Sequence, residues 1–116
     1  MDFISLHKYL MEKTGAVEDF PFDTGTLVVK VEGKMFALVG ISDDPLRVNL
    51  KCDPEKAEIL RELYPAIIPG YHMNKRHWNT IVLDGSIADQ DIFSMIDDSY
   101  ELVVKGLPRA KRPTDI

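Results

Sequence analysis

The clearest signal along the chain is a change of hydrophobic period. Leu27-Val28-Val29-Lys30-Val31 and Met35-Phe36-Ala37-Leu38-Val39 are apolar, β-branched runs separated only by Glu32-Gly33-Lys34. Such runs read as paired strands, and Gly33 supplies the positive φ that a tight hairpin needs. Asp43-Asp44-Pro45 forms the next turn. Arg47-Val48-Asn49-Leu50-Lys51 then alternates polar and apolar residues, as a half-buried strand does. A fourth strand is expected over Trp78, Thr80, Ile81, Val82 and Leu83, ended by Asp84-Gly85.

Helical spacing governs the remainder. Residues 2–14 carry Ile4, Leu6, Tyr9, Leu10 and Met11, with Gly15 as the stop. A second helix starts at Asp53-Pro54-Glu55: Asp53 can cap free backbone N–H groups, and Pro54 fits the first helical position, where its missing N–H costs nothing. Ala57, Ile59, Leu60 and Leu63 are expected as its buried stripe, with Pro65 and Pro69-Gly70 closing it. Ser86 and Asp89 resemble a capping pair opening a last helix to about Lys105, in which Ile92, Phe93, Met95, Ile96, Tyr100, Val103 and Val104 recur at helical spacing. The order α-β-β-β-α-β-α predicts an α+β fold, an antiparallel sheet with the helices on one side. The first three strands lack crossover helices, which argues against a doubly wound parallel sheet.

Composition narrows the class. With 116 residues, 45% of them apolar, the chain suits one domain with a basic C-terminal tail from about residue 106; only the stretch after Pro108 lacks apolar residues to bury. No apolar run reaches the ~20 residues that span a bilayer, and the start lacks the pattern of a signal peptide. Cys52 is the sole cysteine, so no disulfide closes within the chain, and a cytoplasmic bacterial protein is expected.

Charge changes the picture more. The net charge of -5 opposes a polyanionic partner, but its distribution is uneven. Residues 84–104 hold Asp84, Asp89, Asp91, Asp97, Asp98 and Glu101 with no base. Residues 71–83 hold Lys75, Arg76, His72 and His77 with no acid, and residues 105–113 hold Lys105, Arg109, Lys111 and Arg112 with none. An acidic helix flanked by basic segments follows.

The segment Pro69-Gly70-Tyr71-His72-Met73-Asn74-Lys75-Arg76-His77-Trp78-Asn79-Thr80 resembles the MmcQ/YjbR family. Lys34-Met35-Phe36-Ala37-Leu38, Leu50-Lys51-Cys52-Asp53-Pro54-Glu55, Leu83-Asp84-Gly85-Ser86 and Asp97-Asp98-Ser99-Tyr100-Glu101-Leu102-Val103 extend the likeness in family order. The resemblance implies a CyaY-like α+β fold. It also implies a DNA-binding role, proposed for the family, in which two β-hairpins act as wings.

Candidate contacts to double-stranded DNA are Lys75 and Arg76 for phosphate, and Asn74 and Asn79 for phosphate or base edges. Lys105, Arg109, Lys111 and Arg112 add an acid-free basic segment. Tyr71 or Trp78 could stack, although Trp78, on an apolar strand, also reads as core. The alternative is a small-molecule or protein interaction module, with a cleft lined by residues 71–80 and containing Tyr71, His72 and His77. Lys30, Lys34, Arg47 and Lys51 read as a mixed solvated surface because Glu32, Asp43 and Asp44 lie among them. The five-residue spacing of His72 and His77 suits no metal pair, and Asp89, Asp91, Asp97 and Asp98 read as a solvated face. Cys52 reads as buried. No phosphate loop, nucleophile elbow or paired catalytic carboxylates occur, so neither enzyme activity nor a cofactor is expected.

Overall fold

The computed structural model describes residues 1–70 and 73–113. Helix α1 (Phe3–Met11) leads into β1 (Ala16–Asp19), β2 (Thr26–Val31), β3 (Lys34–Gly40) and β4 (Arg47–Lys51). Helix α2 (Pro54–Leu63), β5 (Ile67–Pro69), β6 (Trp78–Val82), α3 (Asp89–Lys105) and a 3-10 turn (Arg109–Lys111) follow. The strands form one sheet in the order β1-β2-β3-β4-β6-β5, and every neighbouring pair is antiparallel. This is the expected α+β fold with two strands more than the sequence pattern announces. Both additions, β1 and β5, are sheet edges.

Cross-strand register sorts the residues onto two faces. Leu27, Val29, Val31, Ala37, Val39, Val48, Leu50 and Ile81 share one face and pack against Leu6 and Leu10 of α1 and Ile92, Met95, Ile96 and Val103 of α3. On the other face, which carries no helix among the described residues, Val28, Leu38 and Trp78 form a smaller buried cluster with Met35 and Met73 against it. Trp78 is therefore core, at 8% exposure. Burying a large ring there stabilises the sheet by roughly 2–3 kcal/mol.

The β2–β3 hairpin closes on Glu32 and Gly33, with φ +47 and +77. Two residues with positive φ make the turn whose twist matches the strands. Two positions further along β3 the register shifts: Lys30 pairs with Met35 and Val29 with Ala37, leaving Phe36 as the extra residue of a bulge. The bulge lets Phe36 and Ala37 both point into the main core. It also disturbs the ladder beside β4, and Ser99 of α3 fills the gap. The Ser99 hydroxyl accepts from Lys51 N–H at 2.8 Å and donates to the Phe36 carbonyl at 2.6 Å.

Two expectations are corrected. Ser86 does not cap α3: its N–H and hydroxyl both donate to Asp84, the cap position is Ala88, and no side chain caps the helix. The buried stripe of α2 is not Ala57, Ile59, Leu60 and Leu63. Ile59 and Leu63 are 55% and 65% exposed, and the inward positions are Ala57, Leu60, Arg61 and Tyr64. After Pro108, Arg112 donates from Nε to Leu107 O (3.1 Å) and from Nη2 to Lys105 O (2.8 Å), folding the stretch back on the end of α3.

Helices α1 and α3 are clasped through Asp97, which accepts from Tyr9 Oη at 2.7 Å and is ion-paired with Lys13. Tyr9 also stacks on Phe93, with centroids 4.0 Å apart. Burial, reinforced by the hydrogen bond to Asp97, pushes the Tyr9 phenol up to about 12. Among the described residues no helix is long and apolar enough to cross a membrane.

Candidate nucleic-acid interface

Antiparallel order places particular chain segments at each end of the strands. The β2–β3 turn, the end of β4, the start of α2, the β5–β6 connection and the end of α3 all lie at one end, here called the hairpin end. Residues 20–25 and 41–46, the N-terminus and residues 83–88 lie at the other. Met1, Asp2, Phe3, Ile41, Asp43, Asp44, Leu83 and Asp84 border one open depression there.

Charge follows this division. Asp2, Asp23, Asp43, Asp44, Asp84, Asp89 and Asp91 occupy the far end, where Arg47 is the nearby base. Lys34, Lys51, Lys75, Arg76, Lys105, Arg109, Lys111 and Arg112 gather at the hairpin end, with Glu12, Glu32, Asp53, Glu55 and Glu101 among them. Ion pairing divides the bases. The pairs among described residues are His7–Glu18, Lys13–Asp97, Lys30–Asp19 and Lys56–Asp98. Lys13, Lys30 and Lys56, which also lie toward the hairpin end, are spent in these pairs, as are Asp97 and Asp98, while Lys34, Lys51, Lys75, Arg76, Lys105, Arg109, Lys111 and Arg112 have no ion pair among the described residues. The expected acidic helix is thus partly neutralised, and the polarity runs along the strands instead.

The β5–β6 tip is a built structure. The Asn74 carbonyl accepts from His77 N–H (3.1 Å) and Trp78 N–H (3.0 Å), and its side-chain Oδ1 accepts from Arg76 N–H at 3.0 Å. That turn leaves Lys75 and Arg76 exposed at its apex. The His77 carbonyl accepts from Cys52 N–H at 2.8 Å, tying the tip to the end of β4. Gly70 lies under it because a Cβ there would stand 2.8 Å from Trp78 Cβ and 3.2 Å from Met73 Cβ.

The candidates therefore separate. Lys75, Arg76, Lys105, Arg109 and Lys111 are exposed at one end of the molecule, and Arg112 is there too, its donors partly engaged by backbone. Asn74 shapes the turn. Asn79 is 2% exposed on the helix side of β6 and donates to Ala57 O at 3.4 Å, so it faces α2 rather than solvent. The void that Asn79 borders, between α2 and α3, is about 10 Å3, room for at most one water. His77 is half-buried, and Tyr71 and His72 lie outside the described residues. Cys52 is buried beside the Lys56–Asp98 pair, and burial pushes its thiol up, away from reactivity. Among the described residues no three His, Cys, Asp or Glu side chains converge as a metal site.

Arg61 escaped the sequence reading. Its Nε donates to Asn79 Oδ1 at 2.7 Å, and its Nη2 donates to the Lys75 carbonyl and, at 3.4 Å, to the Trp78 carbonyl. The signal was available: Arg61 lies four residues after buried Ala57, and an arginine on the inward face of a helix requires acceptors.

Comparison with known proteins agrees with this architecture. The YjbR family model matches residues 11–102. The chain is 39% identical over 112 residues to the protein YjbR of Escherichia coli strain K12, covering 97% of this chain and 95% of that one. It is 30% identical over 112 residues to YyaQ of Bacillus subtilis strain 168, covering 84% of this chain and 93% of the relative. The crystal structure of Deinococcus radiodurans protein DR2400 superposes with a TM-score of 0.91 at 43% identity, covering 96% of this chain and 85% of that one. The fold is thus shared over nearly the whole chain, and this chain belongs to the YjbR family.

Proposed function

We propose that the chain binds double-stranded DNA through phosphate contacts at the hairpin end, with the β2–β3 and β5–β6 tips as two wings and the segment from Lys105 to Arg112 beside them. The observation that carries this reading is that Lys34, Lys51, Lys75, Arg76, Lys105, Arg109, Lys111 and Arg112, all toward that end, have no ion-pair partner among the described residues, although Lys13, Lys30 and Lys56 near them are paired. Unpaired, exposed bases can release counterions from a polyanion, and the acidic far end turns the molecule so that the basic end leads. Spacing supports the reading as well. In the sheet order the two tips are three strand intervals apart. At ~4.8 Å per interval that is roughly 14 Å, comparable with the ~12 Å width of a major groove. Sequence readout is not part of the proposal, since the candidates are chiefly cations. A cytoplasmic setting, where duplex DNA is at hand, suits a chain whose one cysteine is unpaired.

A footprint of about six phosphates gives a slope of log K against log salt near -5, hence a loss of about 10³ between ~50 and ~200 mM salt. Fluorescence anisotropy of a labelled duplex over that range tests the reading. Absence of binding at ~50 mM salt, where phosphate contacts are strongest, would sink it.

A further inference from the structure

We propose that Arg61 is the positioning residue of the β5–β6 wing, holding Lys75 and Arg76 in place for phosphate without itself touching DNA. This inference rests on the DNA-binding reading and deepens it.

The geometry is specific. One guanidinium joins three acceptors: the Asn79 side chain, the Lys75 carbonyl and the Trp78 carbonyl. Asn79 is itself buried and fixed to the Ala57 carbonyl of α2. The fork therefore fastens the apex of the tip, through β6, to a helix on the far side of the sheet edge. From the other side Asn74 holds the Arg76, His77 and Trp78 N–H groups. Lys75 and Arg76 have their backbone clamped while their side chains remain exposed.

All of these Arg61 acceptors are uncharged, and Arg61 has no ion pair among the described residues. A planar fork suits several acceptors at once, whereas an ammonium is a point charge on a flexible stem. Fixing the apex before DNA arrives removes an ordering cost from the bound state, which is how preorganisation raises affinity. Without the fork the apex loses its link to α2, and two cations that acted together become independent and mobile.

The test has two independent readouts on full-length protein, and the first needs no DNA. Trp78 is the single tryptophan, 8% exposed, with Met73 packed against it at the base of the tip. In Arg61→Met, native-state Trp78 emission is expected to shift to the red and become quenchable by iodide while far-UV dichroism is retained. Unchanged emission would overturn the proposal. The second readout is the salt slope for a labelled duplex. R61M is expected to lower it by about 1.8, two contacts at ~0.9 each, as K75A/R76A does, and R61M added to that double variant is expected to lower it no further. A further drop of ~0.9 in the triple variant would mean that Arg61 itself meets phosphate. Arg61→Lys keeps the charge but loses the fork, and is expected to resemble R61M; full recovery by lysine would overturn the role assigned to the fork. If R61M does not fold, R61K carries both readouts. Failure of the wild type to bind duplex refutes the DNA reading, while Trp78 emission still decides whether Arg61 holds the tip.

Discussion

Ser99→Ala isolates one hydroxyl with two consequences. Ser99 has 0% exposure and bridges the bulge in β3, accepting from Lys51 N–H and donating to the Phe36 carbonyl. Alanine removes one oxygen and leaves a buried donor and a buried acceptor without that partner. An orphaned buried group costs about 1–3 kcal/mol, and the better helix propensity of alanine returns roughly 0.5 kcal/mol. For the two groups together the expected net loss is therefore about 1.5–5.5 kcal/mol. For a domain of this size that is a melting-temperature drop of roughly 6–22 °C, or a urea midpoint shift of roughly 1–4 M at an m-value near 1.5 kcal/mol/M. Urea unfolding followed by Trp78 emission is the assay. Ser94→Ala, at an exposed position of the same helix, is the control and should lie within ~0.5 kcal/mol of wild type. A Ser99→Ala variant no less stable than that control would refute the account of how the bulge is satisfied.

Other outcomes follow from single features. Tyr9 has its pKa raised to about 12 from 10.0, so the fold favours the protonated phenol. Its contribution is present below pH 10 and lost as pH rises through 12; the stability gap between wild type and Tyr9→Phe should narrow over that window, and a constant gap counts against the Asp97 hydrogen bond. Glu32 sits at φ +47 in a turn that favours asparagine, so Glu32→Asn should stabilise by up to ~1 kcal/mol in urea unfolding and strengthen duplex binding by removing an acid from the wing tip. A loss of stability would contradict the turn assignment. Gly70→Ala forces a Cβ to 2.8 Å from Trp78 Cβ and should cost roughly 1–3 kcal/mol while shifting Trp78 emission to the red. Unaltered emission and midpoint would show that the tip is not packed as described.

The parts of this fold that the sequence announces are those where local chemistry and tertiary packing agree. Residues 27–39 have β propensity and a glycine turn, and both hold in the hairpin. Asp53 accepts from Glu55 N–H at 3.0 Å and from Lys56 N–H, so the start of α2 is legible from its cap alone. Strands β1 and β5 are legible from neither. Ala16–Asp19 carries two acids, Ile67–Pro69 ends on a proline, and each is a strand because an existing sheet edge supplies its partners. The face of α2 misled because Ile59 and Leu63 look more inward than Arg61. An arginine buries its stem and fork readily when carbonyls await it, and those carbonyls come from the tip and the start of β6, fourteen and seventeen residues away. Of the candidate site, Lys75 and Arg76 were legible from local charge. The gathering of Lys34, Lys51 and the segment after α3 around them was not, since strand order alone decides which turns share an end.

The central claim is that the unpaired bases of the hairpin end form a DNA interface. Its most direct test compares the salt slope of duplex binding for wild type, Lys75→Ala/Arg76→Ala and Arg47→Ala, the last an exposed base at the acidic end. The account predicts a slope shallower by about 1.8 for the double variant and no change for Arg47→Ala. Equal slopes for all three proteins, or a loss confined to Arg47→Ala, would contradict it.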